Sequence, residues 1–282
     1  MLDSIPLGVE YSITSRFQRR SKPLLISLSN LSFIGFNYTA LKQLPNNLGL
    51  EIFYEFGNHS HWEKVLKEIY PHRSPQNLSI HGPCIGVNLA DENDSHYLTH
   101  YKDVFEFAAK WNAKFIVVHT NEEFTGDKAL VRQRVQHRLQ ELLLFSKNYE
   151  IQILIENVGL QTKGTLLFDW KEYLELLLTL PEAGALLDVG HAFINQWNLP
   201  DVIEQLGKRL IACHLHDNHG LSDDHLPVGH GTINWNVLFS AICSSAPEAT
   251  LVFEYANVDI QTALASIQTI KNNYLQVRST YD

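Results

Sequence analysis

The feature that most restricts the fold is an eightfold alternation of short apolar runs with helical patterns. Runs of β type fall at 24–29 (LLISLS), 49–54 (GLEIFY), 78–81 (LSIH), 114–119 (KFIVVH), 152–156 (QILIE), 183–188 (AGALLD), 209–214 (RLIACH) and 250–254 (TLVFE). Several are nearly continuous Val, Ile and Leu, the composition of parallel strands buried on both faces. Between them, 96–111 and 128–147 place apolar residues three and four apart, as an amphipathic helix requires. Asp169 ahead of WKEYLELLL reads as an N-cap. Eight strand–helix repeats predict an α/β protein, a closed parallel (β/α)8 barrel in one domain over 24–282, with 1–23 as an extension before the first strand. A chain of 282 residues is a normal length for such a barrel.

The polar residues fall on this frame in a pattern. Six of the eight predicted strands end in His81, His119, Glu156, Asp188, His214 and Glu254, with gaps of 38, 37, 32, 26 and 40 residues. Each gap is about one strand–helix unit, and a barrel brings the C-terminal ends of its strands to one mouth. A lone histidine at a strand end is more often a structural hydrogen-bonding residue than a ligand. Six such positions on one face are harder to explain that way. Residues 213–231, CHLHDNHGLSDDHLPVGHG, carry five histidines and three aspartates. Burying that many polar groups unpaired is too costly for a packed core. The stretch reads as a strand end followed by a loop folded back over the mouth, adding Asp223 and His225; His191 in LLDVGHAF adds a ninth donor. Histidines and carboxylates together suit divalent Zn, Mn or Fe, one to three ions per chain. His216 and His219 are expected to serve hydrogen bonding within the loop.

Composition sets the remaining bounds. The net charge of −9 argues against a partner that needs phosphate neutralisation, so nucleic acid is disfavoured. Cys84, Cys213 and Cys243 are scattered, which offers no disulfide framework and fits a cytoplasmic location. No apolar run reaches membrane-spanning length. Oligomeric state stays open.

HGP at His81, VVHT at His119, IEN at Glu156, LLDVGHAF, HLHDN at His214, DDHLPVGHGTINW from Asp223 and FE at Glu254 together resemble the xylose isomerase-like TIM barrel superfamily. Within it, they resemble the branch holding endonuclease IV (AP endonuclease family 2) and sugar phosphate isomerases and epimerases. The resemblance implies two alternatives. In the endonuclease pattern His81, His119, Glu156, Asp188, His191, His214, Asp223, His225 and Glu254 hold three zinc ions, with Glu156 bridging two. In the isomerase pattern one ion sits on Glu156, Asp188, His214 and Glu254, the two glutamates act as acid and base, and His191 contacts substrate. Many relatives read GEGxIDW where this chain has His230 and Asn234 in place of the acids.

Three functions therefore stand at the level of sequence. Metal-assisted hydrolysis of a phosphoester, on a sugar-phosphate-type substrate rather than DNA, uses all nine donors. Sugar isomerisation or epimerisation uses four. A metal-loaded barrel serving as a binding scaffold uses them without chemistry. Candidate substrate contacts are Lys163 for a phosphate, Trp197 and Trp235 for stacking on a sugar, and His230.

Overall fold

The computed structural model describes residues 25–33, 35–71 and 77–275. The predicted extension at 1–23 lies outside them. Eight parallel strands close in sequence order: β1 (Ile26–Ser29), β2 (Gly49–Phe53), β3 (Leu78–His81), β4 (Phe115–His119), β5 (Gln152–Glu156), β6 (Gly184–Asp188), β7 (Leu210–Leu215) and β8 (Thr250–Phe253). β8 returns to β1 with Leu251 opposite Ile26, so no edge is left open. Each predicted strand lies within two residues of the observed one.

Around the barrel run α1 (His59–Ile69), α2 (Tyr97–Lys110), α3 (Lys128–Ser146), α4 (Trp170–Thr179), α5 (Val189–Ile194), α6 (Leu199–Leu206), α7 (Trp235–Ser245) and α8 (Ile260–Ile270). The first connection instead winds through 3-10 turns at Asn30–Phe33 and Gly35–Gln43. Asp169 caps α4 as expected: its carboxylate accepts from Lys171 N and Glu172 N, and Glu172 accepts from Asp169 N at 2.8 Å. Reciprocal caps of this kind are worth about 1 kcal/mol. No helix among the described residues is long and apolar enough to cross a membrane.

Side chains alternate along each strand, so a residue and the one two before it share a face. Phe115, Val117, Leu154, Leu186 and Ala212 form a buried apolar cluster inside the barrel. Full burial of a leucine there contributes about 2 kcal/mol. Two residues on from Val117, Leu154, Leu186 and Ala212 stand His119, Glu156, Asp188 and His214 on the same inward face. The register sets His119 opposite Glu156 and Asp188 opposite His214. A dry floor and a polar mouth follow from one alternation.

Candidate metal centre

Glu156 occupies the middle of the mouth, 1% exposed, and its two oxygens face different neighbours. Oε2 lies 3.6 Å from His81 Nε2 and 3.2 Å from His119 Nε2. Oε1 lies 3.5 Å from His214 Nδ1, which is itself 3.5 Å from Glu254 Oε2 and 3.9 Å from Asp188 Oδ2. A third group forms where Asp223 Oδ2 meets His191 Nε2 at 3.1 Å and His225 Nε2 at 3.2 Å. All nine sequence-derived ligand candidates thus come together, sorted into three donor groups that share Glu156 between two of them.

The loop carrying the third group is held by Asp217. This buried carboxylate accepts from Asn218 N and Ile233 N on Oδ1, and from Gly229 N and Trp235 Nε1 on Oδ2. An antiparallel bridge between Asp217 and Leu226 folds the segment back, with N···O distances of 2.8 and 2.9 Å. His225 takes a left-handed backbone, φ 46°, unusual for a side-chain-bearing residue and a local strain that the surrounding contacts hold. In LLDVGHAF, Asp188 caps α5 by accepting from His191 N at 2.6 Å. Gly190 is required there for space: a Cβ would stand 2.0 Å from the His216 ring.

The tautomers of five histidines follow from their outer partners. His81 Nδ1 faces Gly82 O at 2.9 Å, His191 Nδ1 faces Asn157 O at 3.1 Å and His225 Nδ1 faces Glu254 O at 2.9 Å. A carbonyl oxygen only accepts, so each of these nitrogens donates. His119 Nδ1 donates to Glu122 and His214 Nε2 to Glu51, at 2.5 and 2.8 Å. In every case the other ring nitrogen turns toward the carboxylates of the mouth, the arrangement of a metal-ligating histidine anchored from behind.

The donor set fits divalent ions on two further counts. His119 Nε2, Glu156 Oε2, His214 Nδ1, Asp223 Oδ1 and Glu254 Oε1 are buried with no hydrogen-bond partner. Such atoms are costly unless something satisfies them. Zinc bonds of about 2.0–2.2 Å place neighbouring ligand atoms roughly 3–3.6 Å apart, close to the 3.2–3.6 Å from Glu156 to His81, His119 and His214 and the 3.1–3.2 Å from Asp223 to His191 and His225. Without an ion, protons carry the compensating charge. Burial alone would lower the pKa of His119, but Glu156 and Glu122 outweigh it and push it up to about 10. Burial likewise opposes, and Asp223 and Glu254 overcome, a rise of His225 to about 9. Glu156 is held well below the usual carboxylate range, since His119 and His214 outweigh the effect of its burial.

Two participants were missed in the sequence. Glu51, fully buried in β2, bridges His214 Nε2 and Ser79 Oγ, the latter at 2.8 Å. The only hint was one acid inside an apolar strand. His216, assigned to loop bonding, is fully buried, sets Nε2 3.0 Å from Asp188 Oδ2 and stacks on His225 at 3.8 Å. Its position two residues after His214, on the same face of the chain, was the available signal.

Three candidate substrate contacts are corrected. Trp235 is 4% exposed and its indole N–H is spent on Asp217, while Trp197 is 7% exposed and packs on Tyr173. Neither can stack on a sugar; both belong to the packing behind the mouth. His230 is exposed and does not line the mouth cavity. Asn234 caps α7 by accepting from Val237 N, which explains how the position works without an acid. Lys163 does line the cavity, of about 270 Å³, and is its one Lys or Arg among the described residues.

A family described as xylose isomerase-like TIM barrel matches residues 40–272. An uncharacterised protein of Methanocaldococcus jannaschii is 30% identical over 164 residues, 56% of this chain and 62% of the relative, so the match spans less than two thirds of that relative. Among solved structures, a D-tagatose 3-epimerase-like protein superposes with TM-score 0.72 at 22% identity, covering 90% of this chain and 98% of the other. The IolI protein with a bound zinc atom gives 0.72 at 17% identity over 90% and 100%. An AP endonuclease, family 2, from Brucella melitensis gives 0.71 at 14% identity over 87% and 98%. These three likenesses concern the fold.

Proposed function

Because this chain belongs to the xylose isomerase-like TIM barrel family, we infer that its mouth is a multinuclear metal centre hydrolysing a small phosphoester. The observation that carries this reading is the division of Glu156 between two donor groups, with a third group at His191, Asp223 and His225. His81, His119 and Glu156 would hold one ion. Glu156, Asp188, His214 and Glu254 would hold a second, and the third group another. When bound, divalent zinc or manganese supplies Lewis-acid polarisation of phosphoryl oxygens and acidifies water.

The chain's own residues do the rest. Lys163 offers the cavity the one ammonium group among the described residues, placed to take a phosphate oxygen. Phe53 stacks on the His81 ring at 3.8 Å and, with Val158 and Leu160, provides an apolar wall that limits water. Glu122 and Glu51 orient His119 and His214 from behind. The net charge of −9 disfavours a polynucleotide.

A second reading is sugar epimerisation on the Glu156, Asp188, His214 and Glu254 group alone, with Glu156 and Glu254 moving the proton and His191 contacting substrate. The unpartnered Glu254 Oε1 favours it. It leaves His81, His119, Asp223 and His225 without a task. Elemental analysis separates the two: two or more ions per chain with turnover of p-nitrophenyl phosphate esters supports hydrolysis, and one ion with ketose epimerisation refutes it. His119→Ala is expected to remove one ion and abolish hydrolysis, whereas an epimerase would keep its ion and most of its rate.

A further inference from the structure

The scattered cysteines gave no metal motif in sequence, yet one of them reaches the mouth. We propose that Cys84 Sγ is a further ligand at the His81–His119–Glu156 group, an inference that rests on the metal-centre reading above. The sulfur and one ring nitrogen each of His81 and His119 all lie within 4.8 Å of one another. Cys84 is 7% exposed, so the thiol is not a surface group.

The loop after β3 is seated to bring it there. Gly82 N donates to Val117 O at 2.9 Å, and a Cβ on Gly82 would stand 2.7 Å from that same oxygen. The chain can therefore turn tightly against β4 directly beyond His81. Glu55 then pins the next residues. Its carboxylate accepts from Cys84 N at 3.1 Å, Ile85 N at 3.0 Å, Gly86 N at 3.1 Å and Cys84 Sγ at 3.1 Å.

An independent observation points to an ion beside these two imidazoles. Glu156 Oε2 is buried, has no hydrogen-bond partner, and faces both imidazoles at 3.6 and 3.2 Å. Three protein donors would leave a coordination position open. With Cys84 the set becomes two nitrogens, one oxygen and one sulfur, and zinc can expand to a fifth position for a water or a phosphoryl oxygen. A thiolate is a soft donor, so it selects zinc, cobalt or iron over manganese and magnesium at this group. Coordination breaks the S–H bond and forms a metal–sulfur bond; the proton leaves by way of Glu55 Oε1, which already accepts it as a hydrogen bond. The other two groups contain no sulfur, only imidazoles and carboxylates. The centre is then chemically asymmetric, with one tightly held ion and others that exchange.

Cobalt(II) titration of the metal-stripped full-length chain tests this. Thiolate ligation gives an intense near-ultraviolet charge-transfer band that nitrogen and oxygen ligands lack. The expected result is a band saturating with one equivalent, absent in Cys84→Ser and retained in Cys243→Ser. Serine preserves the hydrogen bond to Glu55, so the variant keeps the loop anchored. Uptake of two or more cobalt ions without the band, or a band that survives Cys84→Ser, overturns the cysteine ligand and leaves the metal centre standing. Failure to take up cobalt at all overturns both.

Discussion

Glu51→Leu is the sharpest single perturbation of the centre, because Glu51 holds the outer nitrogen of His214 and so controls one ligand. Its Oε1 accepts the His214 Nε2 proton at 2.8 Å and its Oε2 accepts from Ser79 Oγ at 2.8 Å, all fully buried. Leucine removes both acceptors and leaves a buried ring N–H unsatisfied, a cost of about 1–3 kcal/mol. It also frees His214 to take the tautomer that protonates Nδ1, the nitrogen facing Glu156 and Glu254. Losing such an outer partner weakens metal binding about 10–100-fold. Glu51→Gln keeps an acceptor for His214 but loses the charge, so its loss should be about tenfold or less. Competition with a chromophoric chelator measures each affinity, and thermal unfolding of the metal-free proteins checks that both variants are folded. Wild-type affinity in Glu51→Leu would refute the reasoning. Complete loss of one ion in Glu51→Gln would make Glu51 a ligand in its own right.

Three more outcomes follow from the same geometry. Gly190→Ala drives a methyl into the His216 ring and should cost about 1–3 kcal/mol of stability, most of it recovered in the double variant with His216→Ala; denaturant titration of the four proteins gives the coupling. Asp217→Ala strands four donors of the loop and should lower stability by at least about 3 kcal/mol while releasing the third ion, seen by chelator titration; an unchanged ion count would separate the loop anchor from the third group. Metal affinity should rise with pH across neutrality and level off near 9 to 10, since His119 and His225, with pKa values pushed up to about 10 and about 9, are protonated in the metal-free centre and must release those protons to bind. Calorimetry in buffers of different ionisation enthalpy reads that release directly, and binding without proton release contradicts it.

The strand ends and the loop donors were legible because the signals that place them are local. Alternation within 115–119 or 152–156 is a property of a few consecutive residues, and eight such runs separated by helices have few ways to close. That alone sends His81, His119, Glu156, Asp188, His214 and Glu254 to one mouth, and Asp169 to a helix start. What each side chain does on arrival is not local. Glu51 meets His214 across 163 residues, and the tautomer of that ring is settled by the meeting. Trp235 looked available beside the mouth until Asp217, 18 residues before it, took its indole N–H. Cys84 has no sequence neighbour that marks it as a ligand; a turn at Gly82 and a carboxylate from the connection after the preceding strand bring it to His119. The chain by itself determined that a ring of parallel strands would carry imidazoles and carboxylates at its tips, because period-two alternation is written in adjacent residues. Only the tertiary structure decided how those donors divide into groups, since a ring nitrogen or a carboxylate oxygen is oriented by partners contributed from other strands.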